Sequence, residues 1–227
     1  MNYHILKSIK KNREENKIIS YEDKDVTIDI INKYFNKNFG FNNHKQDAID
    51  LLQLTINILN EFNIKYSLIS GTLLGLIRHD DFIPWDDDID LLVDSSIKNN
   101  IPFIIEKYPN INLIINDIFI KISLKNSDNN WPFIDLFMFK DVNIENIEFF
   151  GKIWEKNKFF PTNTISFLNM NVEIPNNPIY FLELNYSKDC LTTLVSDNYN
   201  HINEEFRNKN NKIKISLKIY NKILKHI

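Results

Sequence analysis

The chain is nearly without cysteine: Cys190 stands alone among 227 residues. No internal disulfide can form, and no cysteine-rich zinc module can be built. A lone thiol favours a reducing compartment, so a cytoplasmic location is expected. Glycine (4) and proline (7) are scarce, which excludes collagen-like and Pro/Gly-rich disordered chains. No apolar run reaches 18 residues, so no membrane span is expected. The first residues, MNYHILKSIKKNREENK, lack the long apolar centre of a secretory signal. Basic excess is also missing: 27 Lys+Arg face 30 Asp+Glu, for a net charge of -3. Without a broad positive field, nucleic acid is not an expected partner, although local basic patches are compatible with this balance.

What the chain has in quantity is asparagine (35) and isoleucine (38). A codon bias towards A and T explains both, and neither carries functional meaning. Hydrophobic content of 43% is ordinary for a globular protein. Residues 1–20 are polar and basic (Lys7, Lys10, Lys11, Arg13) and read as a solvated helix or loose arm, with contact to an anionic surface as the alternative. From Lys45 to Phe62, apolar residues recur at steps of three and four, which predicts an amphipathic helix. Strands are predicted at Tyr66–Ile69, Ile89–Val93, Phe119–Leu124 and Trp131–Phe139, with Pro132 at the first position of the last. Helical patterns follow over Asn176–Tyr186 and Glu204–Ile227, the latter on the register of Ile215, Ile219 and Ile223. No internal repeat or linker stands out. The expectation is a single α+β domain over 1–227, a mixed sheet flanked by helices, with its core at about 45–201.

The most informative stretch is SGTLLGLIRHDDFIPWDDDIDLLV, residues 70–93. Asp86, Asp87, Asp88 and Asp90 fall within five positions, directly before an apolar run. Two like charges about 4 Å apart cost ~1 kcal/mol in water and ~4 kcal/mol at an effective dielectric of 20. Beside a core, such crowding is tolerated mainly when a cation gathers the carboxylates. Side chains two apart on a strand share a face, so Asp88 and Asp90 point the same way. Asp86 has the same parity, but Pro84-Trp85 puts it in the turn before the strand. Asp135, flanked by Phe133, Ile134, Leu136 and Phe137, is the natural third ligand, because a charge within a strand is costly unless paired or metal-bound. All-oxygen ligands suit Mg²⁺ or Mn²⁺. A calcium EF-hand loop fails: Leu91 occupies its glycine position and Ile97 its glutamate position. The Asp-x-Asp pair of sugar-nucleotide glycosyltransferases fits the aspartates equally well.

The upstream order separates the two. A strand, then Gly71-Thr72, then an apolar helix over Leu73–Ile77, then Asp-x-Asp on a strand is the order of the nucleotidyltransferase superfamily. Glycine lets backbone N–H groups approach phosphate, and a hydroxyl adds a donor at the helix N-terminus.

At this point GTLLGLIRHDDFIPWDDDIDLLV, followed by WPFIDLF and by IPNNPIYFLELNYSKDC, resembles the LicD family, which includes the fukutin-type transferases. The resemblance covers roughly Lys45 to His201. Ser187 stands where the family usually has glycine, and the zinc-binding cysteine insertion of some members is absent. The resemblance implies a nucleotidyltransferase-like fold and a metal-dependent phosphotransferase. Such an enzyme moves phosphocholine or an alditol phosphate from a CDP-linked donor to a glycan hydroxyl. It implies Asp88, Asp90 and Asp135 as metal and catalytic carboxylates, and Gly71 and Thr72 as the phosphate-side turn. Arg78 and His79 match the family's Arg-His pair beside donor phosphates or acceptor, and Asp86 and Asp87 join the substrate-binding set. Two alternatives remain: nucleotidyl transfer to a small molecule, protein or RNA end, and a non-catalytic binding module that kept the fold.

Overall fold

The computed structural model describes residues 18–196, 199–206 and 212–225. These fall into two compact units. The larger, Lys37–Lys188, carries every residue singled out above as a site candidate.

Its first long element is helix α1 (Lys45–Glu61), which buries Ala48, Leu51, Leu52, Ile56 and Leu59. That is the apolar stripe expected from the sequence. Strand β1 (Tyr66–Leu68), helix α2 (Ser70–His79), strand β2 (Ile89–Asp94) and helix α3 (Ile97–Lys107) follow. Next come β3 (Ile111–Ile115), β4 (Phe119–Leu124) and β5 (Phe133–Asp141), then two hairpins and a helix. The hairpins are β6 (Asn146–Phe149) with β7 (Lys152–Glu155), and β8 (Asn163–Phe167) with β9 (Met170–Ile174); the helix is α4 (Pro178–Asn185).

The main sheet has the order β1-β2-β5-β4-β3, and the first hairpin continues from the end of β5. Strands β2 and β5 are parallel, and the other neighbours are antiparallel. This is the mixed-sheet α+β class expected. The parallel pair is the centre of the sheet, and such pairs are buried on both faces. Ile89, Leu91, Leu92 and Val93 of β2 and Ile134 of β5 have no exposed surface. At about 25 cal/mol per Å² of buried apolar area, such side chains stabilise the fold by roughly 1.5–3 kcal/mol each.

The smaller unit holds the described residues up to Asn36 and those from Asp189 on. Strand Ile18–Ser20 pairs in parallel with Lys212–Ser216, which pairs on its other side with Thr193–Val195. Thus residues from both ends of the described chain share one small sheet. The lone thiol, Cys190, is buried in this unit.

Three sequence expectations are revised. The strand expected from Trp131 begins at Phe133; Pro132 has no N–H for the ladder. Helix α2 is longer than Leu73–Ile77 and takes Ser70 and Gly71 into its first turn. The helix expected over Glu204–Ile227 is a short strand (Glu205–Phe206), the strand Lys212–Ser216 and a helix over Leu217–Leu224. The basic segment with Lys7, Lys10, Lys11 and Arg13 lies outside the described residues. No helix among those described is long and apolar enough to cross a membrane.

Candidate functional site

The site is set by strand register. Asp90 of β2 lies directly opposite Asp135 of β5, and Asp135 lies directly opposite Lys121 of β4. One row across three adjacent strands therefore reads Asp, Asp, Lys. Residues opposite one another in a sheet share a face, so all three side chains stand on the same side. Asp88, two positions before Asp90, has the same parity and immediately precedes β2. Carboxylate oxygens of Asp88, Asp90 and Asp135, one from each, lie within 4.8 Å of one another, and all three residues are half-buried. The sequence argument placed these three together, and the structure does so. Three hard oxygen donors at this spacing fit a divalent cation of the Mg²⁺ or Mn²⁺ kind.

Helix α2 begins against this group. The Asp90 backbone N–H donates to the Thr72 hydroxyl oxygen at 2.9 Å, and the Ile69 N–H donates to the Asp90 carbonyl at 3.2 Å. Thr72 is buried, so its oxygen pins the start of β2, and its hydroxyl proton is left for another acceptor. Ser70 adopts a left-handed φ of 49°, costly for a residue with a Cβ. The strain sits where the chain turns from β1 into α2. At Gly71 a Cβ would collide with the Asp86 carboxylate: the absence of a side chain lets that carboxylate lie against the helix's first turn. Asp86 itself is in a turn, its N–H donating to the Ile83 carbonyl at 3.0 Å, as Pro84-Trp85 suggested.

Asp87 has the opposite parity to Asp86, Asp88 and Asp90 and is 1% exposed. Its backbone carbonyl accepts the Trp131 indole N–H at 2.7 Å. Trp131 stacks on Phe41 with ring centroids 5.8 Å apart. Its bond ties the strand carrying Asp135 to the segment carrying Asp88. The Trp131 ring thus both packs in the core and anchors the Asp87 backbone.

Arg78 and His79 occupy the last turn of α2. At 1.5 Å per residue, Arg78 lies about 9 Å along the helix axis from Thr72. The Arg78 Nε–H donates to His79 Nε2 at 3.0 Å, and the His79 ring packs edge-on against Trp85. Burial, and then the Arg78 charge, lower the His79 pKa to about 4. At neutral pH the imidazole is therefore uncharged, and Arg78 is the cation of the pair. A separate cleft of about 1040 Å³ opens by Tyr66 and Glu173, at the opposite end of β2 from Asp90: Tyr66 pairs with Val93.

Lys121 is the site residue that sequence reasoning missed. The Phe119–Leu124 alternation was read correctly as a strand, yet nothing in one strand announces which partner stands opposite.

Carboxylates on adjacent parallel strands thus stand beside a helix with glycine in its first turn, and three of them could hold a cation. The family model described as "LicD/FKTN/FKRP, nucleotidyltransferase domain" matches residues 63–177, and the chain belongs to this family. The uncharacterized protein RT0683 of Rickettsia typhi is 29% identical over 152 residues, 63% of this chain and 47% of that protein. The lipopolysaccharide cholinephosphotransferase LicD of Haemophilus influenzae is 49% identical over 44 residues, 19% of this chain and 17% of that protein. The chain thus spans less than half the length of these curated relatives. The lincosamide antibiotic adenylyltransferase LnuA, solved with lincomycin, aligns at a TM-score of 0.40 and 10% identity, over 56% of this chain and 78% of that one.

Proposed function

We propose that this protein is a metal-dependent phosphotransferase that moves phosphocholine or an alditol phosphate from a CDP-activated donor to a glycan hydroxyl, acting in the cytoplasm. The observation that supports it most is the register of Asp90 against Asp135, with Asp88 within 4.8 Å of both. Asp135 lies 45 positions beyond Asp90 and 47 beyond Asp88 in sequence, yet the three converge on one cation-sized space.

Asp88, Asp90 and Asp135 would hold Mg²⁺ or Mn²⁺, which supplies neutralising charge at a diphosphate. The first turn of α2 offers backbone N–H groups to phosphate oxygens at Gly71, and Arg78 supplies a fixed positive charge. Asp86, whose carboxylate lies against the first turn of α2, shapes the donor side, and the buried Asp87 supports that segment from behind. In the reaction, the acceptor hydroxyl oxygen bonds to the donor β-phosphorus. The bond from that phosphorus to the bridging oxygen breaks, and CMP leaves with the electron pair. The hydroxyl proton passes to a carboxylate, for which Asp135 is the candidate. His79, neutral at working pH, orients Arg78 through its ring nitrogen.

A second reading, nucleotidyl transfer, is favoured by the nucleotidyltransferase description of the matching family model. Product identity separates the readings. The protein is incubated with CDP-choline, CDP-ribitol or NTPs together with glycan acceptors. CMP release with phosphorylated glycan supports phosphotransfer, and pyrophosphate release supports nucleotidyl transfer. Metal-dependent thermal stabilisation without turnover of any donor would leave a binding module.

A further inference from the structure

Lys121 stands at the end of the row that contains Asp90 and Asp135. Its Nζ is 3.9 Å from Asp135 Oδ1, and the two side chains are only 14% and 13% exposed. The separation is an ion-pair distance, too long for a hydrogen bond. On its other side, Nζ lies 3.2 Å from the centre of the Phe133 ring, a cation–π arrangement. A lysine rarely stays this buried unless its charge is matched. This ammonium is held by an aromatic face and a carboxylate that also belongs to the candidate metal centre.

Charge counting gives the consequence. Asp88, Asp90 and Asp135 carry −3 together, and one divalent cation would leave −1 behind. With Lys121 in the row the group carries −2, which one divalent cation neutralises. Interactions among half-buried charges a few ångströms apart are large on the scale of binding energies, so the difference matters for both affinity and stoichiometry.

Resting on the metal-dependent reading above, we infer that Lys121 is a positioning residue that caps the resident load of the carboxylate row at one divalent ion and weakens its hold. Any further ion then requires negative charge that a bound diphosphate brings. The ammonium, 3.9 Å from Asp135 Oδ1, also attracts the Asp135 carboxylate on β5, the strand between β2 and β4.

The test is Mn²⁺ titration of the whole chain, without donor, followed by the electron paramagnetic resonance of the free ion. Wild type is expected to bind one Mn²⁺ per chain. Lys121→Met is expected to bind Mn²⁺ about tenfold more tightly, and Lys121→Arg, which keeps the charge, to stay within about threefold of wild type. Near-UV circular dichroism confirms that each variant is folded; Lys121→Gln, with a polar end that tolerates water, replaces the methionine variant if that one is not. A purely structural lysine would leave affinity unchanged or lower it on removal, and either result overturns the proposal. Two Mn²⁺ per wild-type chain overturns it as well. Asp90→Asn is the control for the reading beneath. If it binds Mn²⁺ as wild type does, the carboxylate row is not the metal centre; if it loses binding while Lys121→Met is unaltered, only the role of Lys121 fails.

Discussion

Two glycines of helix α2 should respond in opposite ways to the same added methyl group. At Gly75 a Cβ would lie 2.6 Å from the Asp81 carbonyl oxygen and 3.0 Å from the Ile83 nitrogen. Both are backbone atoms that cannot step aside without moving the loop before Pro84. With backbone contacts this short, overpacking costs about 2–3 kcal/mol, the upper part of the usual range, and the helix-propensity gain of alanine over glycine returns up to ~1 kcal/mol. The net loss for Gly75→Ala is about 1–2 kcal/mol, a fall in Tm of roughly 2–8 °C for a chain of this size. At Gly71 the Cβ meets the end of a side chain, the Asp86 carboxylate. That group can leave by rotating, at a cost of roughly 0.5–1.5 kcal/mol, again partly offset by propensity. Gly71→Ala should therefore shift Tm by under about 3 °C and yet lower transfer by up to ~100-fold, the scale of a misplaced reacting group. Thermal melts followed by circular dichroism, with turnover measured on the same preparations, check both. A Gly75→Ala protein as stable as wild type, or a Gly71→Ala protein less stable than the Gly75→Ala protein, would refute the reasoning.

Asp90→Ala should fold, because the side chain is half-buried and the Thr72 bond is made by the backbone; transfer should fall by at least ~100-fold, and near-normal turnover would count against the mechanism. Trp131→Phe keeps the ring stacked near Phe41 but leaves the buried Asp87 carbonyl without its indole donor, so a loss of about 1–3 kcal/mol is expected in urea unfolding, together with weaker Mn²⁺ binding as Asp88 loosens. The His79 ring should titrate by NMR near pH 4. Its folded pKa lies below the unfolded value of about 6.5, so the unfolded chain binds the proton first. Its contribution to stability is in place above pH 6.5 and declines as pH falls towards about 4. A His79 midpoint between 6 and 7 would remove this argument.

Local rules carried the sequence reading as far as local rules reach. The three-and-four spacing of Ala48 to Leu59 gave α1, and the parity of Asp88 and Asp90 gave two of the three clustered carboxylates. Asp135 was found because a charge inside WPFIDLF needs a reason, not because its partner was visible. The failure at the C-terminus has a specific cause. Ile215 and Ile219 are four apart, as in a helix, but they straddle a joint: Ser216 ends a strand, and its side chain accepts the Ile219 N–H at 3.1 Å as a helix cap. The alternation in Lys212–Ser216, with Ile213 and Ile215 buried and the lysines between them less so, was the signal for a strand. The small sheet pairs Ile18–Ser20 with residues nearly 200 positions away, and no local pattern reports a pairing of that range.

The same limit explains why Lys121 escaped notice and why it matters. A parallel pair of strands has no hairpin to set its register, and a slip of one residue would turn Asp135 to the other face of the sheet. Here the apolar row Ile134 and Leu136 opposite Ile89 and Leu91 fixes the register from the core side. Two hydrogen bonds fix it from the site side: Asp90 N–H to Thr72, and Trp131 to the Asp87 carbonyl. A third strand, bearing Lys121, then falls into line at no further cost, because β4 is already paired with β5 along its length. The fold thus delivers three carboxylates and one ammonium as a single unit of charge, and a substitution that shifted the β2–β5 register would dissolve all four contributions together.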